Sequence, residues 1–237
     1  AYFSHDVNQK PSQGLRGIRF SFCHPEMFTT QVRAILRAGY GHTLRILVPM
    51  VSSVDCFRRI RDIVATCSST LDAENTPHHP APLLGAMIEL PSAVLLAHEI
   101  AHEADFLALG TNDLVQYILA VDRNDDRVAD WYIPWHPAVL RAIIHVVTAA
   151  DAAGRPLSIC GEIACDAVLL PILIGMGITA FSVPPRTLGR VQAAISAMRF
   201  DVAMAQAQQV LACASIAEVE DALGMAPATS RKRELKP

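Results

Sequence analysis

A few short stretches of this 237-residue chain gather residue types that handle divalent cations and anions. Glu89 closes the apolar run that begins at Leu84, and Gly110-Thr111-Asn112-Asp113 follows the run Asp105–Leu109, with Arg123 close behind. A third run, Leu157–Cys160, opens into Gly161-Glu162, and upstream Arg16 and Arg19 flank Gly17. Two carboxylates on adjacent strand ends can meet over one small cavity. That arrangement suits Mg2+, which takes one or two carboxylates, keeps waters and shares phosphate oxygens. Arginine suits a phosphate because its planar guanidinium donates two parallel hydrogen bonds. A cysteine facing the same cavity is mostly protonated at neutral pH, its reference pKa being about 8.5, and so has a proton to give. Taken singly, Glu89 or Asp113 serves equally well as a cap of the following helix. Their occurrence on successive strands, with Asn112 and Arg123, favours the joint site.

The elements that must position these residues are legible from periodicity. Leu44–Val48, Leu84–Glu89, Asp105–Leu109, Leu157–Cys160 and Ala180–Val183 read as strands, each followed by turn chemistry and a helix candidate. Such alternation implies an α/β fold with a parallel sheet, whose functional residues gather just past the carboxyl ends of the strands. Phe28–Ala38 reads as a helix stopped at Gly39, Pro91 as the first residue of another, and Pro137–Ala152 as a third ending at Gly154. Arg186–Met198 and Asp201–Ala214 carry alanine-rich faces that suit an outer layer or a partner surface. Ser68–Pro82, with three prolines and the pair His78-His79, reads as a loop whose histidines are solvated. Five strand-helix units fall short of the eight that close a barrel.

Composition removes several classes. Hydrophobic residues at 51% and charged residues at 18% exclude a disordered chain and allow a core without disulfide or metal staples. A net charge of −3 with no basic stripe argues against nucleic acid, and Arg231-Lys232-Arg233 reads as a solvated tail. Mean hydropathy is positive, +0.29. Charge, His, Pro or Gly nevertheless interrupts every apolar stretch before the ~18 residues that a spanning helix needs. The first residues lack the plan of a signal peptide, and the missing initiator Met reads as a fragment or processed form. Six scattered cysteines without a C-x-x-C pair imply reduced thiols in the cytoplasm. His98-Glu99-Ile100-Ala101-His102 matches the zinc-protease pattern H-E-x-x-H. Helical spacing opposes that reading: it puts Ala93, Leu96, Ala97, Ile100 and Ala104 on the apolar stripe, and His98, Glu99, His102 and Glu103 on the wettable side.

At the strand-end residues the sequence resembles the phosphoenolpyruvate-binding barrel of the phosphoenolpyruvate-utilising enzymes. Within them it is most similar to the phosphoenolpyruvate–protein phosphotransferase (enzyme I) branch. The resemblance runs from about residue 11 to 225. It rests on Ile88-Glu89-Leu90-Pro91, on Gly110–Tyr117 with Ala120-Val121-Asp122-Arg123, on His136-Pro137-Ala138-Val139-Leu140, and on Cys160-Gly161-Glu162. Pro25-Glu26, Gln31–Ala38 and Pro49-Met50-Val51 also fit. It implies a (β/α)8 TIM-type barrel lacking its first strands, one domain over residues 1–237, with the phosphohistidine and HPr-binding domains absent. It further implies Mg2+ on Glu89 and Asp113, and phosphoenolpyruvate contacts from Arg16, Asn112, Asp113 and Arg123. Cys160 would protonate the enolpyruvate methylene carbon. The partners implied are a phosphohistidine domain, through it HPr, and a second copy in a homodimer. The alternative reading is a catalytically incomplete binding or dimerisation module. The chain departs from the family at Lys10-Pro11-Ser12-Gln13-Gly14, where Asn-Pro is usual, at Leu90, and at Val183-Pro184-Pro185.

Overall fold

The computed structural model describes residues 14–225. The Arg231–Arg233 cluster and the departure at Lys10–Gln13 therefore lie outside the described residues. Five strands form one parallel sheet: β1 (Arg45–Val48), β2 (Leu83–Ile88), β3 (Phe106–Gly110), β4 (Leu157–Cys160) and β5 (Ala180–Ser182). Their spatial order is their chain order. A doubly wound sheet reverses direction at a switch point, whereas a sheet that only ever adds the next strand is an arc of a barrel. The fold is thus α/β and of partial-barrel type, and the two outermost strands each leave one edge without a strand partner among the described residues.

Parallel neighbours require crossovers, and helices supply them. Ahead of β1 lie α1 (Ile18–Cys23) and α2 (Pro25–Ala38). Between the strands come α3 (Val54–Ala73), α4 (Pro91–Leu95) with α5 (Ala97–Glu103), α6 (Thr111–Leu119) with α7 (Pro137–Ala152), and α8 (Leu169–Gly175). After β5 follow α9 (Pro185–Ser196), α10 (Phe200–Ala212) and α11 (Ile216–Ala222). By alternation and register, Leu84, Ala86, Ile88, Leu107, Leu109 and Ile159 share one face of the sheet, buried in one cluster with the helix residues, as expected where helices cover that side. In α7, Pro137 occupies the first turn and His136 Nδ1 accepts from the Ala138 amide at 3.1 Å. His136-Pro137 is therefore a helix start, its missing N–H costing nothing there.

Three local expectations need correction. Ser68–Pro82 is not all loop: α3 continues through Ala73, because Phe57, Ile60, Val64, Cys67 and Leu71 make a buried helical stripe that overrides the weak propensity of Ser68, Ser69 and Thr70. His78 is buried rather than solvated. Its Nε2 hydrogen-bonds with Ser68 Oγ at 2.8 Å and its Nδ1 with the Thr76 carbonyl at 3.0 Å, which ties the loop back onto α3. The stretch after Pro91 breaks at Leu96 into two short helices, and Glu103 is half-buried under Arg58 and Arg61 rather than free on the wet face. His98, Glu99 and His102 do lie on the exposed side, with the imidazole centroids 6.0 Å apart.

Candidate active site

Strand register sets the geometry. Ile88 pairs with Leu109, Gly110 with Cys160, and Cys160 with Ser182. Glu89, which follows β2 directly, thereby comes level with Gly110 and Cys160 on one rim. Gly110 makes room for it: a Cβ there would sit 2.7 Å from Glu89 Oε2 and 2.9 Å from Glu89 Cβ.

Glu89 is buried, at 4% exposure, and its Oε1 accepts from the Met50 amide at 2.6 Å. Met50 has a left-handed backbone (φ 58°) and is itself buried, so its N–H is fixed on the carboxylate. Burial pushes the Glu89 carboxyl up to about 7; the Met50 amide opposes the shift, and the nearby negative charge of Asp113 adds to it. Asp113 lies in the first turn of α6, where both oxygens accept from Arg16: Nη1 to Oδ1 at 3.0 Å and Nη2 to Oδ2 at 2.6 Å. Arg16 Nη1 also reaches Tyr117 Oη at 3.5 Å, one helical turn beyond Asp113. Neither acid caps a helix, since α4 and α6 have no side-chain cap hydrogen bond. Glu89 feels the charges of both Asp113, which raises its carboxyl, and Arg16, which lowers it, as groups sharing one cradle do.

Cys160 borders the same cradle. Its Sγ–H donates to the Leu109 carbonyl at 3.3 Å, and burial, followed by the charge of Glu89, pushes the thiol up. At neutral pH it is a protonated thiol. The turn after it is tight: Thr111 Oγ1 donates to the Cys160 carbonyl at 2.7 Å, and Asn112 Oδ1 accepts from the Glu162 amide at 2.9 Å. Gly161 adopts φ 104°, and a Cβ on it would come within 2.3 Å of Thr111 Oγ1. Only glycine fits there.

Arg123 stands further out on the rim. Its backbone N–H donates to Gln116 Oε1 at 3.2 Å, and its guanidinium is 3.9 Å from Glu162 Oε1. Tyr132 donates to the Asn112 carbonyl at 3.3 Å; burial and then Glu162 push its phenol up to about 12, and it also senses Arg123 and Asp113. Beside the cradle, the ends of β4 and β5 open a cleft of about 800 Å³ lined by Asn112, Cys160, Glu162, Ser182 and Arg186 among others. That volume is ample for a small anion. A separate cleft of about 730 Å³, lined by Phe20, Cys23, His24 and Met27, contains none of the predicted site residues.

All six predicted side chains thus fall on one rim, with Arg16 paired to Asp113, Glu89 close enough to feel the charge of both, and Arg123 more peripheral. Sequence reasoning missed the Met50 amide, Tyr117, Tyr132 and the spacing role of Gly110. Tyr117 had a signal in its i+4 position from Asp113. The Met50 amide had none, because a backbone donor aimed by a positive φ leaves no mark on side-chain pattern.

Comparison with known proteins follows the same lines. Residues 1–200 match the family model described as PEP-utilising enzyme, PEP-binding domain. The phosphoenolpyruvate-protein phosphotransferase of Cupriavidus necator is 43% identical over 182 residues, covering 77% of this chain and 31% of that protein. Its counterpart in Mycoplasma capricolum is 36% identical over 213 residues (90% and 37%), and that of Listeria monocytogenes 40% over 181 (76% and 32%). The chain therefore spans about a third of the length of these relatives. A solved citrate lyase from Burkholderia xenovorans superposes with a TM-score of 0.55 at 18% identity, covering 88% of this chain and 70% of that one, and so shares the fold. With the family model matched over most of its length, the chain belongs to the PEP-binding domain family of phosphoenolpyruvate-utilising enzymes.

Proposed function

We propose that this chain is the phosphoenolpyruvate-binding part of a phosphotransferase that moves the phosphoryl group to a protein histidine and releases pyruvate. The observation that carries the reading is the single cradle formed by Glu89, Asp113 and Arg16, with the protonated thiol of Cys160 on its border.

The donor set fits a hard divalent cation. Glu89 and Asp113 offer carboxylate oxygens, their like charges are crowded together, and Mg2+ characteristically takes one or two such groups with substrate oxygens completing its shell. When bound, Mg2+ supplies charge neutralisation to the phosphate and to the enolate oxygen. Arg16, Asn112 and Arg123 hold the phosphate and carboxylate of phosphoenolpyruvate, and Asp113 serves both cation and substrate. Phosphoryl transfer passes through a loose transition state, so positioning and charge supply most of the catalysis. The P–O bond breaks as a P–N bond forms on the acceptor imidazole, and the released electron pair stays on the enolate oxygen. Collapse of the enolate to the ketone draws the Cys160 proton onto the methylene carbon, giving pyruvate; solvent returns a proton to the thiolate.

The reading assigns the acceptor histidine to a phosphohistidine domain, with HPr as the next carrier, and treats the chain as one domain that pairs with a second copy. It assigns a cytoplasmic setting, which keeps scattered thiols such as these reduced. No helix among the described residues is long and apolar enough to cross a membrane. A second reading, a catalytically incomplete binding or dimerisation module, draws on the exposed Leu188, Phe200, Val202 and Met204 of α9 and α10. Pyruvate release decides between them. With phosphoenolpyruvate, Mg2+ and a separately supplied phosphohistidine domain, the first reading expects one pyruvate per phosphorylated histidine. Absence of pyruvate and of phosphohistidine alike would leave only the second.

A further inference from the structure

Arg16 and Asp113 stand in a relation that the phosphotransferase reading does not require. Asp113 holds a divalent cation in that reading and Arg16 holds the phosphate, yet here each is the other's partner, through two hydrogen bonds at 3.0 and 2.6 Å. The pair is half-buried, with side-chain exposures of 36% and 14%. Glu89 offers no slack, since it is buried and its Oε1 already accepts from the Met50 amide.

We propose that the Arg16–Asp113 pair is a partner-exchange latch that makes divalent cation and phosphoenolpyruvate bind with positive cooperativity. The proposal rests on the function proposed above and names how that site is regulated. A cation arriving alone competes with a guanidinium for the Asp113 oxygens and leaves a second positive charge beside itself. An anion arriving alone draws Arg16 away and leaves two adjacent carboxylates next to a third negative group. When both arrive, Asp113 passes to the cation and Arg16 to the phosphate, and every charge keeps an opposite partner. Tyr117, already within reach of Arg16 Nη1, gives the guanidinium a neutral contact during the exchange. Thermodynamic linkage requires the effect to be reciprocal: whatever factor the cation contributes to anion affinity, the anion returns.

The test is calorimetric titration of the 237-residue chain with Mg2+ alone, phosphoenolpyruvate alone, and each in the presence of the other. Wild type and variants are compared side by side so that the Mg2+–phosphoenolpyruvate complex in free solution cancels. In wild type, each ligand is expected to tighten the other about tenfold, within the roughly 5–150-fold range typical of such coupling. Arg16→Gln is expected to reduce that factor to about threefold or less and, in the same protein, to tighten Mg2+ binding in the absence of anion. A residue that served only as a phosphate ligand would weaken phosphoenolpyruvate binding without improving the binding of Mg2+ alone. Arg16→Lys keeps the charge but loses the fork, should fall between the two, and covers the case in which the glutamine variant does not fold. If both ligands bind wild type independently, or if the Arg16 variants bind Mg2+ no better than wild type, the latch is refuted while the function stands. If neither ligand binds in any combination, the function falls and the latch with it.

Discussion

The thiol of Cys160 donates to the backbone carbonyl of Leu109 across the β3–β4 pair at 3.3 Å, which fixes the sulfur at the lip of the cradle formed by Glu89 and Asp113. Its position is set by two strands, its protonation by burial and by the charge of Glu89. A proton donor so placed predicts a clean separation of binding from chemistry.

Cys160→Ala should slow pyruvate release by at least about a hundredfold, the low end of what a positioned general acid contributes. Phosphoenolpyruvate affinity should stay within about threefold of wild type, because the proposed role of the thiol is toward the methylene carbon and not the anionic groups. Coupled pyruvate detection and titration calorimetry on the same preparation measure the two. A wild-type rate in the variant removes Cys160 from the chemistry.

Gly110 makes a second prediction, with a built-in control. The missing Cβ is where Glu89 sits, so Gly110→Ala must displace the carboxylate or the strand. We expect a loss of about 1–3 kcal/mol in urea denaturation, the usual cost of overpacking, together with weakened Mg2+ binding. Gly189, inside α9, has open space where its Cβ would go. Gly189→Ala should leave Mg2+ binding unchanged and stabilise the chain by roughly 0.5–1 kcal/mol through helix propensity. Equal effects from the two substitutions would contradict the packing argument.

Acid stability should carry the mark of Glu103. Arg58 and then Arg61 hold its carboxyl below the ordinary value of 4.5, through contacts of 2.6 Å from each guanidinium. Arg61 also donates to the Glu103 carbonyl. A depressed carboxylate contributes stability that is fully present above its unfolded pKa and is lost as pH falls through the folded one. The stability gap between wild type and Glu103→Gln should therefore be constant from pH 7 to about 5 and close as pH falls below about 4.5. Urea midpoints across that range test it, and a gap that widened toward low pH would show the sign to be wrong.

Much of this architecture was legible in the sequence, for physical reasons that differ by element. The strands were found within a residue or two because buried parallel strands are short apolar runs between turn signals. Pro137–Ala152 was found to the residue because Pro137 and Gly154 punctuate it. Ser68–Ala73 was misread because a helix held by its buried face needs no good formers in its last turns, and three nearby prolines drew the boundary too early. The residues of the cradle were legible as types, since the acids, the amide and the thiol stand at or just past strand ends and Arg16 stands beside a glycine upstream. Their pairing was not. That Asp113 would hold Arg16, or that Met50 would aim its amide at Glu89, depends on segments 97 and 39 residues apart in sequence, which periodicity cannot connect.

The account depends on Glu89 and Asp113 acting on one cation. The most direct measurement is a double-mutant cycle on Mg2+-dependent phosphoenolpyruvate binding, using Glu89→Gln, Asp113→Asn and the pair together. A shared centre predicts that each single substitution removes the Mg2+-dependent gain in affinity, by about tenfold or more, and that the double variant binds no worse than either single one. Full Mg2+ dependence in either single variant, or strictly additive losses, would contradict it.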